Sequence, residues 1–111
     1  MSSSYVKLVV FVPENAADGV REALGNAGAG HIGNYSFTSF STRGIGRFKP
    51  ESGARPHVGT IGIIEEVVEE RIETVCPRAI LDKVVAAMKS AHPYEEVAYD
   101  VYALENSFDR E

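Results

Sequence analysis

Laying Leu8–Phe40 on Ile72–Leu104, at an offset of 64 residues, pairs Pro13 with Pro77, Asp18 with Asp82, Val20 with Val84, Ala23 with Ala87, Ala27 with Ala91 and Tyr35 with Tyr99. A chain built from two copies of one supersecondary unit must bury the apolar face of each copy against the other. Each copy reads as strand, proline, helix, turn, strand. In the first, Tyr5–Val12 is rich in β-branched and apolar residues, and Pro13 ends it. The following helix opens with acid in its first turn, carries Ala16, Val20 and Leu24 on one stripe, and ends in Gly25-Asn26-Ala27-Gly28. In the second, Arg78–Ala91 carries Ile80, Val84 and Met88 at helical spacing and stops before His92-Pro93; Val97–Leu104 closes the unit.

Between the copies, Asn34–Thr42 reads as an aromatic strand with Tyr35, Phe37 and Phe40, followed by Gly44-Ile45-Gly46-Arg47-Phe48-Lys49-Pro50 and a Gly/Pro-rich loop. Glu65–Glu73 fits helical spacing as well as strand spacing. The repeat decides for a strand with a charged face and an apolar face that includes Ile72, because it lays Ile72–Val75 on the first strand. The order βαββαβ with equivalent halves is an α+β, ferredoxin-like arrangement, an antiparallel sheet with both helices on one face. Its second and fourth strands lie at the sheet edges. Neither expected edge, Tyr35–Phe40 or Ala98–Leu104, contains Pro or Lys, the usual protections against pairing with another chain. Closed edge-to-edge assembly, a homo-oligomer, follows as the expectation.

The 111 residues fit a single domain over 1–111, with 1–4 and 106–111 expected as flexible ends. Eleven Lys and Arg against sixteen Asp and Glu leave a charge of −5, which argues against a nucleic-acid partner held by phosphate neutralisation. No apolar run approaches membrane-spanning length, and Met1-Ser2-Ser3-Ser4 lacks the basic and apolar regions of a secretory signal, so a cytoplasmic protein with no membrane partner is expected. The single cysteine, Cys76, cannot form an internal disulfide and reads as core.

Gly28-Ala29-Gly30-His31-Ile32-Gly33 matches a dinucleotide-loop pattern, but a helix enters it and a strand leaves it, the reverse of the order that places pyrophosphate on a helix N-terminus. A glycine-rich turn out of a helix is the better account. His92-Pro93-Tyr94-Glu95-Glu96 is the densest group of chemically capable side chains, but as residues alone it is better explained as a surface turn, with Pro93 stopping the helix and the glutamates solvated, than as a site. His31 aligns with Glu95, each expected to open an edge strand, and those edges run antiparallel. His31 and His92 should therefore stand on the order of 20 Å apart in one subunit, so any ion they share is held between subunits. Arg43, Arg47, Lys49 and Arg55 form a basic stretch able to hold an anionic ligand. No Ser-His-Asp, Cys-His or G-x-S-x-G pattern is present, and no catalytic residue is assigned.

The runs Gly28–Tyr35, Gly44–Pro50, Arg71-Ile72-Glu73 and His92–Asp100 resemble the YqfO-type inserted domain of the Nif-three-like family over about residues 5–105. The His92-Pro93-Tyr94 turn also resembles CutA, and the inserted domain is regarded as a CutA-like, PII-like ferredoxin fold. The resemblance implies that the dinuclear metal centre of full-length members lies in flanking domains, so their hydrolase-like activity is not expected of these 111 residues. It also implies a free-standing binding or regulatory module, not an enzyme, assembled as a trimer. The expected ligand is a divalent metal ion or a small anion at subunit interfaces. The ligand-binding residues are then His31, Tyr35, Tyr94, Glu95 and Glu96, and the metal ligands His31, His92 and Glu95. The alternatives are a protein-interaction module for a separate partner and a small metal-dependent hydrolase.

Overall fold

The computed structural model describes residues 4–105; the remaining expected flexible ends, 1–3 and 106–111, lie outside the described residues. The repeat is visible turn by turn. Strands β1 (Tyr5–Pro13) and β3 (Glu65–Pro77) both end on the duplicated proline. Pro13 and Pro77, with φ of −54° and −60°, each lead into a single 3-10 turn, Glu14–Ala16 and Arg78–Ile80, and then into helices α1 (Ala17–Asn26) and α2 (Leu81–Ala91). Every one of these starts is displaced by the same 64 residues. The buried stripes match too: Val20 corresponds to Val84, both fully buried, and Leu24 to Met88.

Strands β2 (Phe40–Phe48) and β4 (Tyr99–Ala103) complete a four-stranded antiparallel sheet in the order β2-β3-β1-β4. This is the ferredoxin-like arrangement, with β2 and β4 at its edges. Alternation along the strands separates two faces. Val6, Leu8, Val10 and Val12 of β1 with Ile72 and Cys76 of β3 point to the helices, where Val20, Leu24, Val84 and Met88 close the core. Full burial of each such side chain contributes roughly 1.5–3 kcal/mol. Arg21 of α1 ties helix to sheet by donating to Ser41 Oγ on β2 and to the Glu70 carboxylate on β3, while also pairing with Asp18. The other face carries Phe11, Glu69, Arg71 and Glu73, the charged face expected of β3.

The second strand departs from expectation. It runs over Phe40–Phe48, so Tyr35 and Phe37 are outside it and the Gly44-Ile45-Gly46 run is inside it. Phe37 adopts φ +59°, which no strand permits, and its ring lies over Gly25 at the end of α1, in space that a Cβ there would fill. Thr38 is then clamped: its N–H and Oγ donate to the Gly30 carbonyl, and its own carbonyl accepts from Thr74 Oγ1. Only past this clamp does the chain extend. His31 accordingly does not open an edge strand but sits exposed in the connection, beside an isolated Ile32–Tyr35 bridge. Both observed edge strands still lack Pro and Lys, although β2 carries Arg43 and Arg47.

Residues Glu65–Val68 of β3 pair with β2 alone, because pairing with β1 begins at Glu69. The β2–β3 hairpin thus projects past the helices and stretches the molecule to 49 × 26 × 22 Å, with a radius of gyration of 15.1 Å against about 13 Å for a compact chain this long. Among the described residues, no helix is long and apolar enough to cross a membrane.

Candidate functional site

The root of this projecting hairpin faces the turn between α2 and β4. Pro93 disfavours helical backbone at the residue before it, and His92 leaves α2 in an extended conformation (φ −89°, ψ 136°) that turns its side chain inward. The ring is buried and both nitrogens are used. His92 Nε2 lies 2.7 Å from the Phe11 carbonyl and must donate to it; Nδ1 accepts the Tyr94 N–H at 3.1 Å. The neutral imidazole is thereby fixed in one tautomer, and burial lowers its proton affinity, opposed by the Phe11 hydrogen bond. Phe11 N–H in turn donates to the Ala98 carbonyl, fastening the far end of the turn to β1.

Tyr94 is carried on this support. Its ring stands edge-on to Phe48 of β2, with centroids 5.7 Å apart, and tilted against His57 of the hairpin loop at 6.3 Å. The loop, residues 49–64, folds back over the hairpin root: Gly62 N–H donates to the Pro50 carbonyl, and Arg55 N–H donates to Glu95 Oε1 at 2.7 Å. Between loop, turn and the helix-free face of the sheet lies a cleft of about 350 Å³, walled by Phe11, Phe48, Tyr94, Pro50 and Pro56. Its size and largely apolar lining with a few polar groups are those of a small-molecule site.

Glu69 enters the cleft from β3. Its carboxylate occupies the space a Cβ would take at Gly46, so the glycine in β2 is what admits it. Burial raises the proton affinity of Glu69, partly offset by the nearby Tyr94 hydroxyl. Tyr94 is pushed up to about 12, chiefly by burial and then by the Glu69 charge. The hydroxyl oxygen is buried and makes no hydrogen bond of good geometry, Glu69 included. Arg47 and Lys49, which line the cleft, are already engaged: Arg47 with Glu66 at 2.7 Å, and Lys49 with Glu51 at 3.6 Å.

Of the residues singled out in the sequence, Tyr94, Glu95 and Glu96 line this cleft together with Arg47 and Lys49 of the basic stretch. Arg43 instead pairs with Glu14. His31 and Tyr35 do not reach the cleft. Gly30, next to His31, donates to the Val75 carbonyl, and Val75 faces Lys7; His92 is anchored at Phe11, four residues further along β1, or about 13 Å. His31, His92 and Glu95 therefore do not converge within one chain. Among the described residues, no three His, Cys, Asp or Glu side chains form a metal-ligand group. Glu69, Phe11 and His57 went unnoticed in the sequence; the only signal for Glu69 was the glycine pair Gly44 and Gly46 in an otherwise strand-like run.

No protein-family model matches the chain. It is 56% identical over 105 residues, 95% of its length, to a protein named GTP cyclohydrolase 1 type 2 homolog from Halalkalibacterium halodurans, and 54% identical over 101 residues, 91% of its length, to the one from Bacillus subtilis. It spans 28% and 27% of those relatives. A Bacillus cereus protein related to NIF3 superimposes with a TM-score of 0.84 at 51% identity, covering 98% of this chain and 28% of that one. The divalent cation tolerance protein CutA of Archaeoglobus fulgidus shares the fold, with a TM-score of 0.70 at 14% identity, covering 96% of this chain and 89% of that one. Over nearly its whole length the chain is therefore similar to a little over a quarter of these NIF3-related relatives, and its fold is the ferredoxin-like fold also found in CutA.

Proposed function

We propose that the chain is a non-catalytic small-ligand-binding module that assembles through its sheet edges. The observation that carries this reading is the cleft at the hairpin root: apolar walls, a few aimed polar groups, and a turn locked to β1 by His92 rather than left loose. Preorganisation of this kind lowers the ordering cost of binding.

Assembly is supported by the two edge strands without Pro or Lys, and by apolar residues exposed along them, Ile45 on β2 with Val101 and Tyr102 on β4. Pairing β2 of one copy with β4 of the next is heterologous and closes as a ring, for which a trimer is our reading. Sedimentation equilibrium at micromolar concentration tests it. The expected result is a single closed oligomer that Val101→Lys dissociates; a wild-type monomer would contradict it.

A further inference from the structure

The charges around the cleft point to the sign of its ligand. Lys49 and Arg47 are neutralised by Glu51 and Glu66, whereas Glu69, Glu95 and Glu96, all at the cleft, have no cationic partner among the described residues. Glu69 is half-buried on the floor, with its position set by Gly46. Phe48, Tyr94 and His57 line the same cleft, with Tyr94 edge-on to Phe48 and tilted against His57. A small anion entering here meets carboxylates that no ion pair neutralises and finds Arg47 and Lys49 already paired. An organic cation meets a carboxylate below and aromatic rings around it, the combination by which proteins hold ammonium and guanidinium groups.

Resting on the reading of the cleft as a ligand site, we propose that its ligand class is a small organic cation, an alkylammonium or guanidinium ion whose charged head sits at Glu69 and Tyr94 and whose apolar body lies against Phe48 and Pro50. A bare metal ion is a poorer occupant, since no ligand set converges and the walls are apolar. The part-buried Tyr94 hydroxyl lies beside Glu69, and its oxygen can accept the N–H of such a head group while its own O–H is turned toward the carboxylate.

The test uses three probes of one shape and different charge: n-butylammonium, n-butanol and butyrate. Each is titrated into the full 111-residue chain at constant ionic strength, and backbone amide shifts are followed by NMR. Butylammonium should shift the amides of Gly46, Tyr94 and Glu95 and bind about tenfold more tightly than butanol, with butyrate weaker still. Glu69→Gln should remove most of that tenfold preference and leave the affinity for butanol unchanged. Glu96→Gln, at an exposed residue whose change does not disturb packing, should lower it by about threefold. Butyrate binding as tightly as butylammonium would overturn the choice of a cation while leaving the cleft a binding site. No shift at the cleft with any probe would overturn the cleft reading itself, and the cation with it.

Discussion

Replacing His92 by Leu keeps the volume of the buried side chain and deletes both of its hydrogen bonds. Two backbone groups are left without partners, the Phe11 carbonyl and the Tyr94 N–H, which His92 meets at 2.7 and 3.1 Å. A stranded group in a part-buried setting costs roughly 1–3 kcal/mol, so the pair should cost about 2–6 kcal/mol. In a domain this size that corresponds to a fall in Tm on the order of 10–20 °C. The imidazole adds a pH signature. Burial lowers its folded pKa below the ordinary 6.5, so between those two values the unfolded chain binds the extra proton and the folded one does not. Stability from this group is complete above about 6.5 and is lost as pH falls from there toward the folded value. Chemical denaturation of wild type and His92→Leu at pH 7.5 and 5.5 reads both effects. Wild type should lose more stability on acidification than the variant, and the difference isolates His92 from the other two histidines. A loss below about 1 kcal/mol at pH 7.5, or equal pH slopes in the two proteins, would refute the assignment of His92 as the built-in support of the turn.

Three further outcomes follow from particular contacts. Gly30 has φ +80°, and a Cβ there would lie 2.5 Å from the Thr38 carbonyl oxygen, whereas Gly53, at φ +97°, has nothing within 4 Å. Gly30→Ala should therefore destabilise by about 2–4 kcal/mol and Gly53→Ala by about 1 kcal/mol, and equal losses in urea denaturation would remove the argument for a backbone clamp. Leu24→Ala and Met88→Ala, at equivalent positions of the repeat, should each cost about 2–5 kcal/mol; a near-neutral result at either would deny that both halves close the same core. Burial pushes the Cys76 thiol up to about 11, so at pH 8 it should resist a thiol reagent in the native protein and react on unfolding. Rapid native labelling would place it outside the core.

The parts of the fold legible in the sequence are those governed by local rules. Pro13 and Pro77 each end a strand and start a helix whatever surrounds them, and the 64-residue offset carries that punctuation through both 3-10 turns and both helix starts. The second strand was not legible because its start is set from outside. Tyr35–Phe40 has strand composition, but the positive φ of Phe37 and the Gly30–Thr38–Thr74 clamp postpone the strand to Phe40. Gly44 and Gly46 fall beyond the expected strand Asn34–Thr42, and glycine is weak in a strand. Only the sheet register shows that Gly46 makes room for a carboxylate from β3.

The candidate site divides in the same way. Tyr94, Glu95 and Glu96 stood out as one dense turn, and Arg47 and Lys49 as one basic stretch, since each lies within a few residues. Their meeting at a common cleft depends on how far the 49–64 loop folds back, and Glu69 was one glutamate among several on an alternating strand. Through the repeat His31 aligns with Glu95 of the turn and Tyr35 with Tyr99 of β4, yet the duplication places equivalent residues at opposite ends of the sheet.

The most direct test of a ligand-binding, edge-assembled module is the mass of the gently purified protein under native conditions. The account predicts a closed assembly near 36 kDa, three copies of the 12.0 kDa chain, carrying a small organic mass that is absent from the Tyr94→Ala protein. A bare 12.0 kDa species at micromolar concentration would contradict it.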